Sequence, residues 1–292
     1  MIGRARSARA ALLSGLIDDA SLFPPAQLPL PQSIAEHLEH RAGPYNWMVG
    51  RYVCPTSGLA DLARFVPPGA AFATSVVLDD VGPPASTDTI EIQCAELRAP
   101  TGASSRAVAE LLHTLPEPIV RSAETIYVEI APAAPDSDRT LAALSAARGG
   151  ADVALAAKIR CGGVTPDTVP AISDVARFIR TCADLGLPFK ATAGLHHPIR
   201  GRAADVGFVM HGFLNVAAAA LFAHVCNLDI VRLSAILASE CSEEFVLDAD
   251  VFSWRELVLS SEEVLLGRRF FHSYGSCSFD DPVSGLGQLG ML

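Results

Sequence analysis

VALAAKIRCGGVTPDTVPAISDVARFIRTCADLGLPFKATAG, residues 153–194, is the stretch on which the fold reading turns. VALAAKIR (153–160) and PFKATAG (188–194) are short apolar runs of strand length, and the segment between them reads as a helix at about 168–185. Strand, helix, strand in this order is the unit of a parallel sheet. Working outward, the same alternation recurs. Strands are expected at LIDDASLF (16–23), NWMVGRYVC (46–54), AFATSVVL (71–78), TIEIQCAEL (89–97) and TIYVEIAP (125–132). Helices are expected at about 31–41, 57–66, 104–115 and 138–148, while 79–88 reads as a Pro-rich loop with no helix. After the seventh strand come a strongly apolar helix at 208–226, a helix at 231–240, a small hairpin at 245–254 and a helix at 260–269. FFHSYGSC (270–277) is the eighth strand, and a last helix starts near Asp281–Pro282, an acidic cap followed by Pro. The expected fold is α/β: one (β/α)8 TIM-type barrel domain over 1–292, with an insertion between strands seven and eight.

Composition narrows the function. Half of the 292 residues are hydrophobic and 18% are charged, which suits a large core. A net charge of -10 argues against nucleic acid as a partner, because phosphate neutralisation needs an excess of Lys and Arg. The best apolar stretch, Val216 to Val225, is too short to span a membrane. Arg4, Arg6 and Arg9 before an apolar run resemble a targeting segment, but Asp18 and Asp19 end that run, and a first helix leading into a strand is the expectation. Seven scattered cysteines with no CxxC pair fit reduced thiols, hence a cytoplasmic location.

Of 22 basic residues only two, Lys158 and Lys190, are lysine. Arginine fills every position where a plain positive charge suffices, and it cannot act as a nucleophile or base. Lys158 ends strand six and Lys190 lies in strand seven, neighbours in a barrel whose active site sits at the C-terminal face. Both are embedded in apolar or small residues. Desolvation lowers an ammonium pKa from about 10.4, and a second ammonium at about 5 Å adds roughly 3 kcal/mol of repulsion, about two pKa units. An amine so tuned is fit for Schiff-base chemistry. The plain alternatives are that a buried lysine pairs with Glu129 or Glu91, or holds a substrate carboxylate or phosphate as a point charge.

KIRCGG (158–163), KATAG (190–194), IDDASL (17–22) and YGSCS (274–278) together resemble segments of the deoxyribose-phosphate aldolases, class I aldolases on a (β/α)8 barrel. The resemblance implies that Lys158 forms the Schiff base, that Lys190 tunes it, that Asp18 joins a proton relay, and that Gly275 and Ser276 lie at an anion site. The family's strand-four acid has two candidate counterparts here, Glu91 and Glu96. Arg160 stands where the family has a small hydroxyl residue. It shares a strand face with Lys158 and suggests a carboxylate substrate.

His196 is a candidate acid or base after strand seven. Adjacent His196 and His197 point to opposite sides of a strand, so no metal site is expected there. Glu129 is a further candidate proton shuttle, and Thr192 and His197 join Arg160 as candidate substrate contacts. His211 and Asn215 share a helix face that either closes over the mouth or caps a helix start. Arg200 and Arg202 are candidate anion receivers or plain surface charges, and Cys161 is either reactive beside cations or merely small and buried. The reading is a Schiff-base lyase or aldolase acting on a small anionic metabolite with a carbonyl group, needing no cofactor. Two alternatives stand beside it. One is a barrel isomerase or transferase that binds a phosphorylated or polycarboxylate ligand through Lys158, Arg160 and Lys190. The other is a non-catalytic binding module, a homo-oligomer with the apolar 208–226 helix at a subunit interface.

Overall fold

The computed structural model describes residues 7–67, 72–79, 90–99, 105–113, 115–203 and 206–292. Eight parallel strands close into a barrel. In chain order its first seven strands are β1 (Ile17–Asp19), β2 (Val49–Pro55), β3 (Ala73–Val77), β4 (Glu91–Arg98), β5 (Thr125–Glu129), β6 (Ala154–Arg160) and β7 (Phe189–Thr192). Helix α1 (Ala8–Leu13) precedes β1, α2 (Leu30–Ala42) and α3 (Leu59–Phe65) follow β1 and β2, and α4 (Ser105–His113) and α5 (Glu117–Ser122) follow β4. Then α6 (Ser137–Ala147) and α7 (Ile172–Asp184) carry the chain to β6 and β7. The connection expected to be a Pro-rich loop lies, but for Asp79, outside the described residues.

The sequence dictates this arrangement locally. In α7, Val175, Ala176, Phe178, Ile179 and Cys182 fall on one stripe, and all five are buried. β6 is buried along five consecutive residues, Leu155 to Ile159, as expected of a strand covered by helices outside and by side chains within.

The insertion between the last two barrel strands holds the expected helices and more strands than expected. It holds a two-stranded ribbon of β8 (Gly201–Arg202) and β9 (Val209–Met210), then α8 (Phe213–Val225) and α9 (Ile230–Ala238). A three-stranded antiparallel sheet follows, β10 (Phe245–Leu247), β11 (Val251–Trp254) and β12 (Leu257–Ser260), and then α10 (Ser261–Arg268). The expected hairpin at 245–254 is thus the first two strands of a meander. The apolar helix starts at Phe213, not 208, because Val209–Met210 pairs with Gly201–Arg202. Every residue of α8 from Phe213 to Ala223 is buried within the chain, against α7, α9, α10 and the last barrel strand, so its apolarity is spent internally. A Cβ on Gly267 of α10 would lie 2.5 Å from Leu221 Cγ, so glycine lets the two helices touch. The eighth barrel strand, β13 (Phe271–Ser276), pairs with β7 and with β1 to complete the closure, and α11 (Asp280–Gln288) follows it. No helix among the described residues is long and apolar enough to cross a membrane.

Candidate active site

Pleating sends alternate side chains of each barrel strand inward. Asp18 of β1, Ser75 of β3, Glu96 of β4, Glu129 of β5, Lys158 of β6, Lys190 of β7 and Ser273 of β13 meet there in one ladder. Lys158 Nζ lies 2.8 Å from Glu129 Oε2 and 2.7 Å from Glu96 Oε2. Lys190 Nζ donates to Glu96 Oε1 at 2.7 Å and to Asp18 Oδ2 at 2.6 Å. Ser75 Oγ donates to Glu96 Oε1 at 2.6 Å, Ser273 Oγ to Asp18 Oδ2 at 2.7 Å, and the Arg51 amide to Asp18 Oδ1 at 2.9 Å. Charges alternate along the ladder: Glu129, Lys158, Glu96, Lys190, Asp18. Three carboxylates face two ammonium groups.

This geometry corrects the expected electrostatics. Lys158 and Lys190 are register neighbours, as expected, but Glu96 stands between their ammonium groups and neutralises the repulsion. Burial alone would lower the pKa of Lys190. Asp18 and then Glu96 outweigh it and hold the value well above that of a free lysine. Glu96 is shifted oppositely: burial would raise it, and the two lysines hold it far below the usual carboxylate range.

Above the ladder, at the C-terminal ends of the strands, opens a cavity of about 630 Å³. Glu96, Glu129 and Lys158 form part of its lining, with Arg160, Thr192, His196, His197 and Gly275 around it. Lys190 and Asp18 lie beneath, within the barrel, and are fully buried. Gly162 and Gly194, each two residues past the end of β6 and β7, press together at the rim. Gly194 has φ +72°, and a Cβ on it would lie 2.9 Å from Gly162 Cα and 2.5 Å from Met210 Cε. His196 sits with Nε2 3.7 Å from Cys277 Sγ and Nδ1 3.9 Å from Asp281 Oδ2.

Several candidates lie away from the cavity. Ser276 lies off the cavity because Ser273, Gly275 and Cys277 take the inward face of the strand; its hydroxyl donates to Ser278 O at 2.6 Å. The turn after β13 is also acidic, with Asp280 and Asp281 in the first turn of α11, which opposes an anion there. His211 and Asn215 do not close over the mouth. His211 Nε2 bonds Pro170 O, and Asn215 anchors the insertion by accepting from the Arg200 amide and donating to Ile236 O and Ser239 O. Arg200 pairs with Glu240 at 3.5 Å and Arg202 bonds Gly207 O, both away from the cavity lining. Cys161 is fully buried, and burial pushes its thiol up to about 12, so it is not a reactive thiolate.

Glu96 is the residue whose role the sequence left undecided. Between Ile92 and Cys94 the register of β4 against β3 shifts, so a count of alternating positions breaks inside the strand. Glu91, the other candidate acid, is exposed at the opposite end of β4 and accepts from Gln93 Nε2 at 2.9 Å.

The sequence matches no family model, no curated protein and no solved structure.

Proposed function

We propose that the chain is a class I lyase, an aldolase-like enzyme that forms a Schiff base between Lys158 and a small anionic carbonyl compound. The observation that carries this reading is the setting of Lys158: a buried amine at the floor of an open cavity, held 2.7 and 2.8 Å from two carboxylates. The resemblance to deoxyribose-phosphate aldolases adds to it, and Glu96 supplies the strand-four acid that this likeness calls for.

The two carboxylates have different parts in this mechanism. Glu96 is held ionised by two ammonium groups and cannot readily take a proton. Glu129 touches only one of the two ammonium groups, that of Lys158 at 2.8 Å, and lies in the cavity lining, and we assign it as the base on that position. Lys158 passes a proton to Glu129, and its nitrogen adds to the substrate carbonyl carbon. The carbinolamine hydroxyl then takes the proton back and departs as water. The iminium that remains is a cation like the ammonium it replaces, so Glu96 and Glu129 stabilise it without rearrangement. A base takes the proton of the hydroxyl two carbons from the iminium carbon, and that oxygen becomes the carbonyl of the leaving fragment. The electron pair of the carbon–carbon bond that breaks flows into the iminium to give an enamine, which is then protonated and hydrolysed by water to free Lys158. His196, at the rim, is placed to serve the departing fragment. Lys190 and Asp18 touch no substrate; they position Glu96.

The reading of a barrel isomerase or transferase that holds its ligand through Lys158, Arg160 and Lys190 is weaker. Both lysines already face carboxylates, so the floor of the cavity is not a cationic bowl.

The test is borohydride trapping on the full chain with a panel of aldehydes, ketones and oxo acids, read by intact mass and peptide mapping. A single adduct on Lys158, absent from Lys158→Arg protein of unchanged melting temperature, is the expected result. Folded protein that forms no adduct with any carbonyl ends the reading.

A further inference from the structure

We infer that the substrate is a 2-oxo acid with an apolar remainder: its carboxylate bound by Arg160, its adjacent carbonyl carbon attacked by Lys158, its tail against the apolar wall of the cavity. The inference rests on the Schiff-base reading and names its substrate class.

Arg160 carries the first half. It lies two residues beyond Lys158 on β6, and the pleat turns both into the same cavity, their backbones about 6.6 Å apart. Its guanidinium is exposed and makes no hydrogen bond or ion pair among the described residues. The other buried or half-buried cations of the site are already engaged: Lys158 and Lys190 with carboxylates, and Arg51 Nε with Gln93 at 3.1 Å. Arg98, on the far side of Glu129, is turned to that carboxylate. Among the described residues of the lining Arg160 is thus the arginine without a carboxylate partner, and the group it grips lies next to the carbon that Lys158 attacks. A planar guanidinium fits a carboxylate with two parallel hydrogen bonds. Thr192, directly opposite Arg160 in the register with β7, lines the cavity beside it and offers a hydroxyl at the same height.

The rest of the cavity carries the second half. Opposite β6 its wall is formed by Phe23, Pro24, Pro25, Val53, Val77 and Leu78. Asp79 also lines that side, and its Oδ2 accepts from the Ser57 amide and hydroxyl. At the β13 end stand Asp280 and Asp281. Against the described residues of the Phe23, Val53, Val77 and Leu78 wall, a second anionic group, such as a distal phosphate, would meet apolar surface or the Asp79 carboxylate. A volume of about 630 Å³ is far more than a three-carbon oxo acid fills, so the tail is a neutral chain or ring.

The experiment compares 2-oxohexanoate with 2-hexanone, which keeps the four-carbon chain and the ketone but replaces the carboxylate by a methyl group. Pyruvate tests the tail and glyceraldehyde 3-phosphate tests a phosphate. Each is trapped on the full chain with borohydride and quantified at Lys158. The expected order is 2-oxohexanoate above pyruvate, with 2-hexanone weakest, and the ratio of 2-oxohexanoate to 2-hexanone falls about tenfold or more in Arg160→Gln. Equal labelling by 2-oxohexanoate and 2-hexanone, or an unchanged ratio in Arg160→Gln, overturns the carboxylate assignment. Pyruvate labelling better than 2-oxohexanoate overturns the apolar tail, and preferential labelling by glyceraldehyde 3-phosphate overturns both. All of these leave the Schiff base standing. Absence of any adduct removes the Schiff base itself, and this inference with it.

Discussion

Asp18 and Asp19 are neighbours in β1 and both are buried, yet the pleat sends them to opposite sides of the barrel wall. Asp18 turns inward to Lys190, Ser273 and the Arg51 amide, in the ladder beneath the cavity. Asp19 turns outward to His37 Nδ1 at 2.9 Å and the Ser21 amide at 3.0 Å. Beside it Ser21, Ser33 and Tyr52 link their hydroxyls at 2.6 Å each, fastening α2 onto the barrel. The outer knot is closed: His37 packs edge-on against Tyr52 and against Phe72, and its members lie outside the cavity lining. The inner ladder ends on a lysine in the lining of a 630 Å³ space. Burial of charge alone does not mark chemistry; burial with one member open to a ligand does.

The largest effect expected from breaking the inner ladder is at Glu96. Glu96→Ala leaves two ammonium groups facing each other in the barrel, costs about 3–5 kcal/mol in urea unfolding and abolishes borohydride trapping at Lys158. Breaking the outer knot separates stability from chemistry. Asp19→Asn costs about 1–3 kcal/mol, while trapping at Lys158 stays within about twofold of wild type. Loss of trapping in that variant would mean that the two networks are not independent.

A third test uses pH, at the opposite end of the barrel interior from the cavity. There His272 shares a 2.8 Å hydrogen bond with Tyr127, and burial pushes its pKa down from 6.5 to about 4. The unfolded chain therefore takes up this proton first. Stability from His272 is complete above pH 6.5 and falls by about 1–3 kcal/mol as pH drops toward 4. His211, also lowered by burial, adds to the same slope. Urea unfolding across pH 4–7 should show a shallower slope in His272→Gln. The smallest effect is at Glu91: Glu91→Gln, on the same strand as Glu96 but exposed, changes stability by less than about 0.5 kcal/mol and trapping not at all.

The barrel was legible because its signal is local: its strands are short apolar runs, and helices such as α7 carry their own apolar stripe. The lysines stood out by rarity, a property of the whole composition. Glu96 did not stand out, because its facing depends on a register shift against β3, and a pairing between strands is not written in either strand alone. For the same reason the sequence suggested repulsion between the lysines where the fold interposes a carboxylate. Ser276 was misplaced by a motif likeness that carries no information about pleat. The outer knot draws on β1, α2 and β2, and its parts look like ordinary polar residues until those elements pack.

Arg268 at the end of α10 donates from Nη1 to the carbonyls of Phe271 and His272, at 2.5 Å each, and from Nη2 to Ser14 O at 3.1 Å. It thereby rivets the seam where the first and last barrel strands meet. Asp18 and Ser273, joined across that seam, are 255 positions apart in the chain. Contacts so distant form late, because the loop between them must first be closed. During synthesis β1 must wait with a bare edge until β13 has left the ribosome, and the ladder under the cavity cannot be complete before then. The interval before closure is when this protein is most exposed to aggregation, and a substitution at Arg268 should show itself first as a lower yield of folded protein.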